Sequence, residues 1–170
     1  SVEQWVARLT EIKRAHPRWQ FPFFNCTWVG GEPLLRKDVI AAGKHFFRYN
    51  TIVTNGTIPL PQWRDVYFYV SLDGDEQIHE GIRDQHGHYR RKGRPGIYQL
   101  IRQNVQQNKH LGITIAYCIT PDNVHCIEQV VKEWYELGAK HITFDFYTPV
   151  GGSADPMWIS FAERDRVLDR

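Results

Sequence analysis

Cysteine is scarce in this chain. Cys26, Cys118 and Cys126 are all it has, an odd number whose spacing matches neither a zinc-ligand pattern nor the paired framework of a small secreted domain. Buried, reduced thiols are the expectation. Long apolar runs are missing too: nothing approaches the roughly 18 residues that suggest a membrane span. The opening residues SVEQWVARLTEIKRAHP show neither the charged nor the apolar region of a signal peptide. A cytoplasmic protein without a membrane partner is expected. Charge of one sign is also absent, since 21 Lys and Arg oppose 19 Asp and Glu for a net +2. That balance gives no electrostatic footprint for wrapping nucleic acid, so a small partner is expected instead.

What is present is the composition of a folded protein. With 42% apolar and 24% charged residues the chain can bury a core, and its 170 residues suit one domain over 1–170. A full eight-fold barrel needs about 250 residues.

Ser1 with Gln4 forms a capping box, after which Val2, Trp5, Val6, Leu9 and Ile12 recur at helical spacing until Pro17. PFFNCTWV, 22 to 29, predicts a buried strand. A helix over 36–49 follows, then a strand through NTIVTNGT and another over 66–74. The 22 residues from 75 to 96 are polar and glycine-bearing, too long for a routine connection, and predict a short helix around 78–83 within a loop over a site. A helix from Ile97 to near Gly112, the strand ITIAYCIT, a helix closed by Gly138, the strand HITFDFYT and a last helix from about 161 to 170 complete the pattern.

Strands alternating with helices imply right-handed crossovers and a parallel α/β sheet, open or curved into part of a barrel. Such folds place ligands beyond the carboxyl ends of the strands. Those ends carry Gly30-Gly31-Glu32, Thr54-Asn55-Gly56, Ser71-Leu72-Asp73-Gly74, Thr120 to Asn123, and Tyr147-Thr148. Glycines there let a ligand approach the backbone, and Glu32 adds an anion suited to a cationic group. A tight strand-to-helix turn, with Glu32 favoured by the helix dipole, accounts for the same residues.

WVGGEPLLRKD resembles the GGEP segment of the radical S-adenosylmethionine (radical SAM) enzymes. In order along the chain, VTNGT is similar to that family's TNGT element, YVSLDG to its SLDG element, and IHEGIRDQHGHY to the segment following it. The likeness covers roughly 23 to 147. It implies a partial parallel (β/α)6 barrel that binds S-adenosylmethionine. A 4Fe-4S cluster would supply one electron to cleave it to a 5′-deoxyadenosyl radical, which abstracts hydrogen from a small-molecule or peptide substrate. A reductant such as ferredoxin or flavodoxin would be a partner. Carried over, Gly30, Gly31 and Glu32, with Pro33 completing the element, would hold the methionyl amino group. Ser71 would contact the ribose or carboxylate side, with Asp73 beside it in SLDG. Thr54 and Asn55 would face cofactor or substrate, and Ile119 would pack on the adenine.

One departure is plain: the sequence contains no CxxxCxxC loop, and its three cysteines do not supply three thiolates to one cluster. The expectation is a chain truncated at its N-terminus, lacking the barrel's first strand, leaving an unpaired edge at 22–29 and being unable to cleave the cofactor by itself. A degenerate homologue that binds without catalysing is the competing account. A non-catalytic nucleotide- or phosphate-binding α/β module, with anions at helix starts, is the alternative from another class. An RNA-binding protein using the basic run at 90–94 is a third. His79 and Arg83 share one helical face, with Arg83 a candidate link between loop and rim. His86, His88 and His125 fit no ligand motif.

Overall fold

The computed structural model describes residues 1–17, 23–87, 89, 93, 95–149 and 155–169. Pro22, His88, most of the basic run at 90–94, the 150–154 part of PVGGSADP, and Arg170 lie outside the described residues.

Five parallel strands form one sheet in sequence order, β1 (Phe23–Trp28), β2 (Phe47–Thr54), β3 (Val66–Leu72), β4 (Gly112–Ile119) and β5 (His141–Phe146). The helices are α1 (Val2–Ala15), α2 (Lys37–Gly43), α3 (Glu76–Arg83), α4 (Ile97–Gln107), α5 (Ile127–Leu137) and α6 (Phe161–Leu168). When each strand lies beside the one before it, right-handed crossovers carry every helix to the same side. Burial follows that rule. On the covered face Ile52, Phe68 and Ile113 lie in register, as do Val70 and Ile115, all at 0% exposure. The other face carries Tyr49, Tyr67, Ser71, Cys118 and Asp145, with Tyr67 still 53% exposed. This is the half-open layer arrangement of a partial barrel. Among the described residues no helix is long and apolar enough to cross a membrane.

Four expectations need correction. The helix expected over 36–49 ends at Gly43, and Phe47 already starts β2. Phe47 pairs with Phe23 and packs on its ring and on that of Trp28, so ladder and aromatic contacts override the helical periodicity. β1 pairs among the described residues with β2 alone, the edge position expected for it, but Asn25 and Thr27, in register with Tyr49 and Thr51 on the open face, are exposed where a buried strand was expected. The helix in the long connection is wider than expected, from Glu76, because Asp75 caps it by accepting from the Ile78 N–H at 3.0 Å. The next helix stops at Gln107, and Gly112 opens β4. The capping box at Ser1 and the left-handed Gly138 at the end of α5 stand as expected.

Gly56 marks the turn after β2. Its φ is +72°, and a Cβ would lie 2.7 Å from Val70 Cγ1 and 3.1 Å from Ile101 Cγ2, both in the core. Gly56→Ala therefore combines backbone strain with overpacking and should cost about 2 kcal/mol in a urea titration. A loss below about 0.5 kcal/mol would show the turn to be adaptable.

Candidate functional site

Side-chain hydrogen bonds join the carboxyl end of β1 to that of β2, and the end of β3 to that of β4. Glu32 caps the short 3-10 turn Pro33–Arg36, its Oε1 accepting from the Leu34 N–H at 2.9 Å. The same oxygen accepts from the Thr54 hydroxyl at 2.8 Å, and Oε2 accepts from the Asn55 N–H at 2.8 Å. Thr54 Oγ1 in turn accepts from the Gly56 N–H at 3.1 Å. The acid thus ties the β1 loop to the β2 loop. A carboxylate offers about four acceptor sites, so three bonds leave capacity for one more donor.

Beside it Gly30 has φ +108°, a conformation that favours glycine. A Cβ built on either Gly30 or Gly31 would meet nothing within 4 Å. These glycines are therefore not needed to admit a neighbouring part of the protein. They leave open space against backbone, next to a cavity of about 260 Å³ lined by Trp28, Gly30, Gly31, Glu32, Pro33 and Arg36 among others. Pro33 supplies the fixed φ at the start of the 3-10 turn.

At the end of β3, Ser71 lies on the open face beside Ala116, whose small side chain crowds it little. Its hydroxyl makes no hydrogen bond among the described residues. Asp73 is differently placed: its side chain is 13% exposed and accepts from Nε and Nη2 of the Arg83 guanidinium, which holds Arg83 above its ordinary pKa. Asn55 Oδ1 accepts from the Thr57 N–H at 3.0 Å and its hydroxyl at 2.8 Å, an Asx turn that fixes this loop. Ile119 does not join the group. Its register with Phe146 puts it on the covered face, 2% exposed, in an apolar cavity with Val124, Ile127 and Val167.

Three residues whose part in the rim sequence reasoning left unassigned hold its loops. Asn123, fully buried, donates to the Asp73 and Cys118 carbonyls at 2.8 and 2.7 Å and accepts from the Thr120 N–H at 2.8 Å, joining the β3 end to the β4 end. Asn104 of α4 donates to the Gly56 carbonyl at 2.7 Å. Glu80 of α3 accepts from the Tyr98 N–H at 2.8 Å at the start of α4. The only signal for each was a polar residue on an otherwise apolar helix face or in a turn.

The cysteines lie apart. Cys26 is on the covered face of β1 and Cys118 on the open face of β4. Cys126 donates to the Asn123 carbonyl at 3.2 Å. Burial raises the Cys26 thiol, and burial with Asp73 and Asp145 raises that of Cys118, the wrong direction for thiolate ligands. Among the described residues no three His, Cys, Asp or Glu side chains gather in metal-ligand geometry. The residues present do not fit a 4Fe-4S cluster.

No protein-family model matches the chain, and no curated protein matches it in sequence. Solved structures do. The hexahistidine-tagged form of anSMEcpe with bound S-adenosylmethionine superposes with a TM-score of 0.67 at 16% identity, over 94% of this chain and 46% of that one. The same protein has also been solved with S-adenosylmethionine and the Kp18Cys peptide. SuiB of Streptococcus suis gives 0.62 at 16% identity over 85% of this chain and 35% of its own. TYW1 with a lysine-pyruvate adduct bound gives 0.59 at 16% over 99% of this chain and 58% of its own. The chain spans from about a third to under three-fifths of their lengths. At such identity the likeness is one of fold: the chain shares with these proteins a parallel α/β sheet with helices.

Proposed function

We propose that this chain is the S-adenosylmethionine-binding core of a radical SAM-type enzyme. One observation carries the reading: Gly30 and Gly31 leave open space against backbone beside a carboxylate that retains acceptor capacity. That arrangement suits a cationic ligand. The methionyl ammonium would donate to Glu32 and to backbone carbonyls of the glycine pair, each charge-assisted bond contributing about 1.5 to 3 kcal/mol. Ser71 would offer its hydroxyl to the ribose or carboxylate side, Thr54 and Asn55 would keep Glu32 in place, and the open face of the sheet would receive the substrate. The solved relative holding both S-adenosylmethionine and a peptide supports a peptide as one candidate substrate class. The same geometry weighs against a phosphate-binding module. Glu32 already fills the N-terminus of its 3-10 turn and satisfies the Leu34 N–H, where an anion would have to sit.

Reductive cleavage of the sulfonium, as the sequence resemblance implies, needs an electron from a 4Fe-4S cluster and a partner reductant. Cys26, Cys118 and Cys126 do not make that cluster's site, so the residues here bind, orient and shield the cofactor, and no cleavage is expected from this chain as it stands.

Gly31→Val separates binding from folding. Its added side chain starts in open space, so the denaturation midpoint should stay near wild type, within the change of about 0.5 kcal/mol usual for surface substitutions. The affinity for S-adenosylmethionine in a calorimetric titration should fall tenfold or more, equivalent to about 1.4 kcal/mol. Equal affinity in both proteins, or wild-type binding of inorganic phosphate in preference to S-adenosylmethionine, would defeat the proposal.

A further inference from the structure

Asp73 presents three polar groups, its N–H, its carbonyl and its carboxylate, and each is taken by a different side chain, two from α3 and one from the turn after β4. The N–H donates to His79 Nδ1 at 3.1 Å. The carbonyl accepts from Asn123 Nδ2 at 2.8 Å. Both carboxylate oxygens accept from Arg83. Two of these partners are almost wholly enclosed, His79 at 1% and Asn123 at 0% exposure. His79 and Arg83 are four residues apart on α3, so one helical face folds back on the strand from which it departs. Immediately before Asp73, Leu72 is anchored in the core at 0% exposure, and before that stands Ser71 on the open face.

A strand end with free backbone groups frays, and a side chain two residues from the end moves with it. Here the end is held on all three sides by groups that gain nothing from a ligand. From this geometry we infer that Asp73 is a positioning residue that, held by His79, Asn123 and Arg83, fixes where Ser71 presents its hydroxyl, and does not itself contact the cofactor. The lock stands on this geometry alone, while its consequence for affinity rests on the S-adenosylmethionine reading above. The locking side chains come from α3 and from the turn after β4, so two segments outside β3 set the position of one hydroxyl. This arrangement predicts an energetic coupling that a cofactor-contacting Asp73 would not show.

Two measurements on the whole chain test it. Amide hydrogen exchange by NMR reads the lock without any ligand: in His79→Leu the Asp73 and Ser71 amides should exchange at least about tenfold faster while those of Phe68 and Val70 keep their wild-type protection. In His79→Asn, whose side-chain oxygen can accept the same bond, exchange should return to within about threefold of wild type. Calorimetric titration of S-adenosylmethionine into wild type, Ser71→Ala, Asp73→Ala and the double variant reads the consequence. Asp73→Ala should weaken binding about fivefold in the wild-type background and leave it unchanged in the Ser71→Ala background, the pattern of one residue acting through another. Losses that multiply in the double variant would make Asp73 a contact in its own right and overturn the inference. So would a uniform change of exchange along β3, or none, in His79→Leu. A wild type that binds no S-adenosylmethionine while the exchange pattern holds would sink the cofactor reading alone and leave the lock standing.

Discussion

Glu32→Ala should destabilise the fold by about 3 kcal/mol and reduce S-adenosylmethionine binding below detection. The carboxylate accepts three hydrogen bonds, from the Leu34 and Asn55 N–H groups and the Thr54 hydroxyl. Bonds to a charged acceptor contribute about 1.5 to 3 kcal/mol each, and those sharing one acceptor do not add in full. Losing the acceptor also strands the Thr54 hydroxyl at 1% exposure and loosens the Gly56 N–H that depends on it. Glu32→Gln should fall between. Its amide oxygen can still serve Leu34 and Thr54, while its NH2 would face the Asn55 N–H donor against donor, for a loss of about 1.5 kcal/mol. Urea denaturation with a shared slope reads both values. A cost under about 1 kcal/mol for the alanine variant would mean that the tie between the two loops carries little of the rim's stability.

The contrast between Glu32 and Gly31 shows how much of this site the sequence displays. The switch from apolar run to polar cluster at Trp28, Thr54 and Leu72 marks the strand ends, because a covered strand must turn polar where it leaves the core; that much is local and legible. The partners of those clusters are not local. Glu32 finds Thr54 across 22 residues and Asn123 finds Asp73 across 50, and neither spacing has a periodicity to betray it. Ile119 shows the same limit. Alternation assigns it a face only once the register between strands is known, and the ladder pairs Leu72 with Tyr117, which puts Ile119 among the helices and away from Ser71. Asp73, expected in the sequence as a cofactor residue, is already committed to Arg83 because α3 folds back at a capped turn, a three-dimensional event written in the sequence only as His79 and Arg83 four residues apart.

Stability should fall as the solution is acidified from pH 7 to below 4, and His79 should account for about 3 kcal/mol of the fall. Burial pushes its pKa down to about 4 from an ordinary 6.5, with Arg83 lowering it further and Asp73 opposing. The groups facing the ring are Asp73 and Arg83 at the rim and the Tyr98 ring of α4, 6.0 Å away and edge-on. Nδ1 accepts from the Asp73 N–H, which places the proton of the neutral ring on Nε2, and that nitrogen has no hydrogen-bond partner among the described residues. Protonation would put a second N–H on Nδ1, against the Asp73 N–H, and leave a charge enclosed. The sign follows. Above pH 6.5 both folded and unfolded chains hold His79 neutral and nothing is lost. Between 6.5 and 4 the unfolded chain binds the proton and the folded chain does not, so stability declines with falling pH. Below 4 the folded form binds it too and the loss levels off at about 3 kcal/mol. In His79→Asn, which cannot titrate, the decline over that window should be shallower by this amount, so its denaturation curves at about pH 7 and pH 4 should lie closer together than those of wild type. Parallel pH dependences in the two proteins would show that the folded ring titrates near its ordinary 6.5, and that its enclosure does not hold it neutral on acidification.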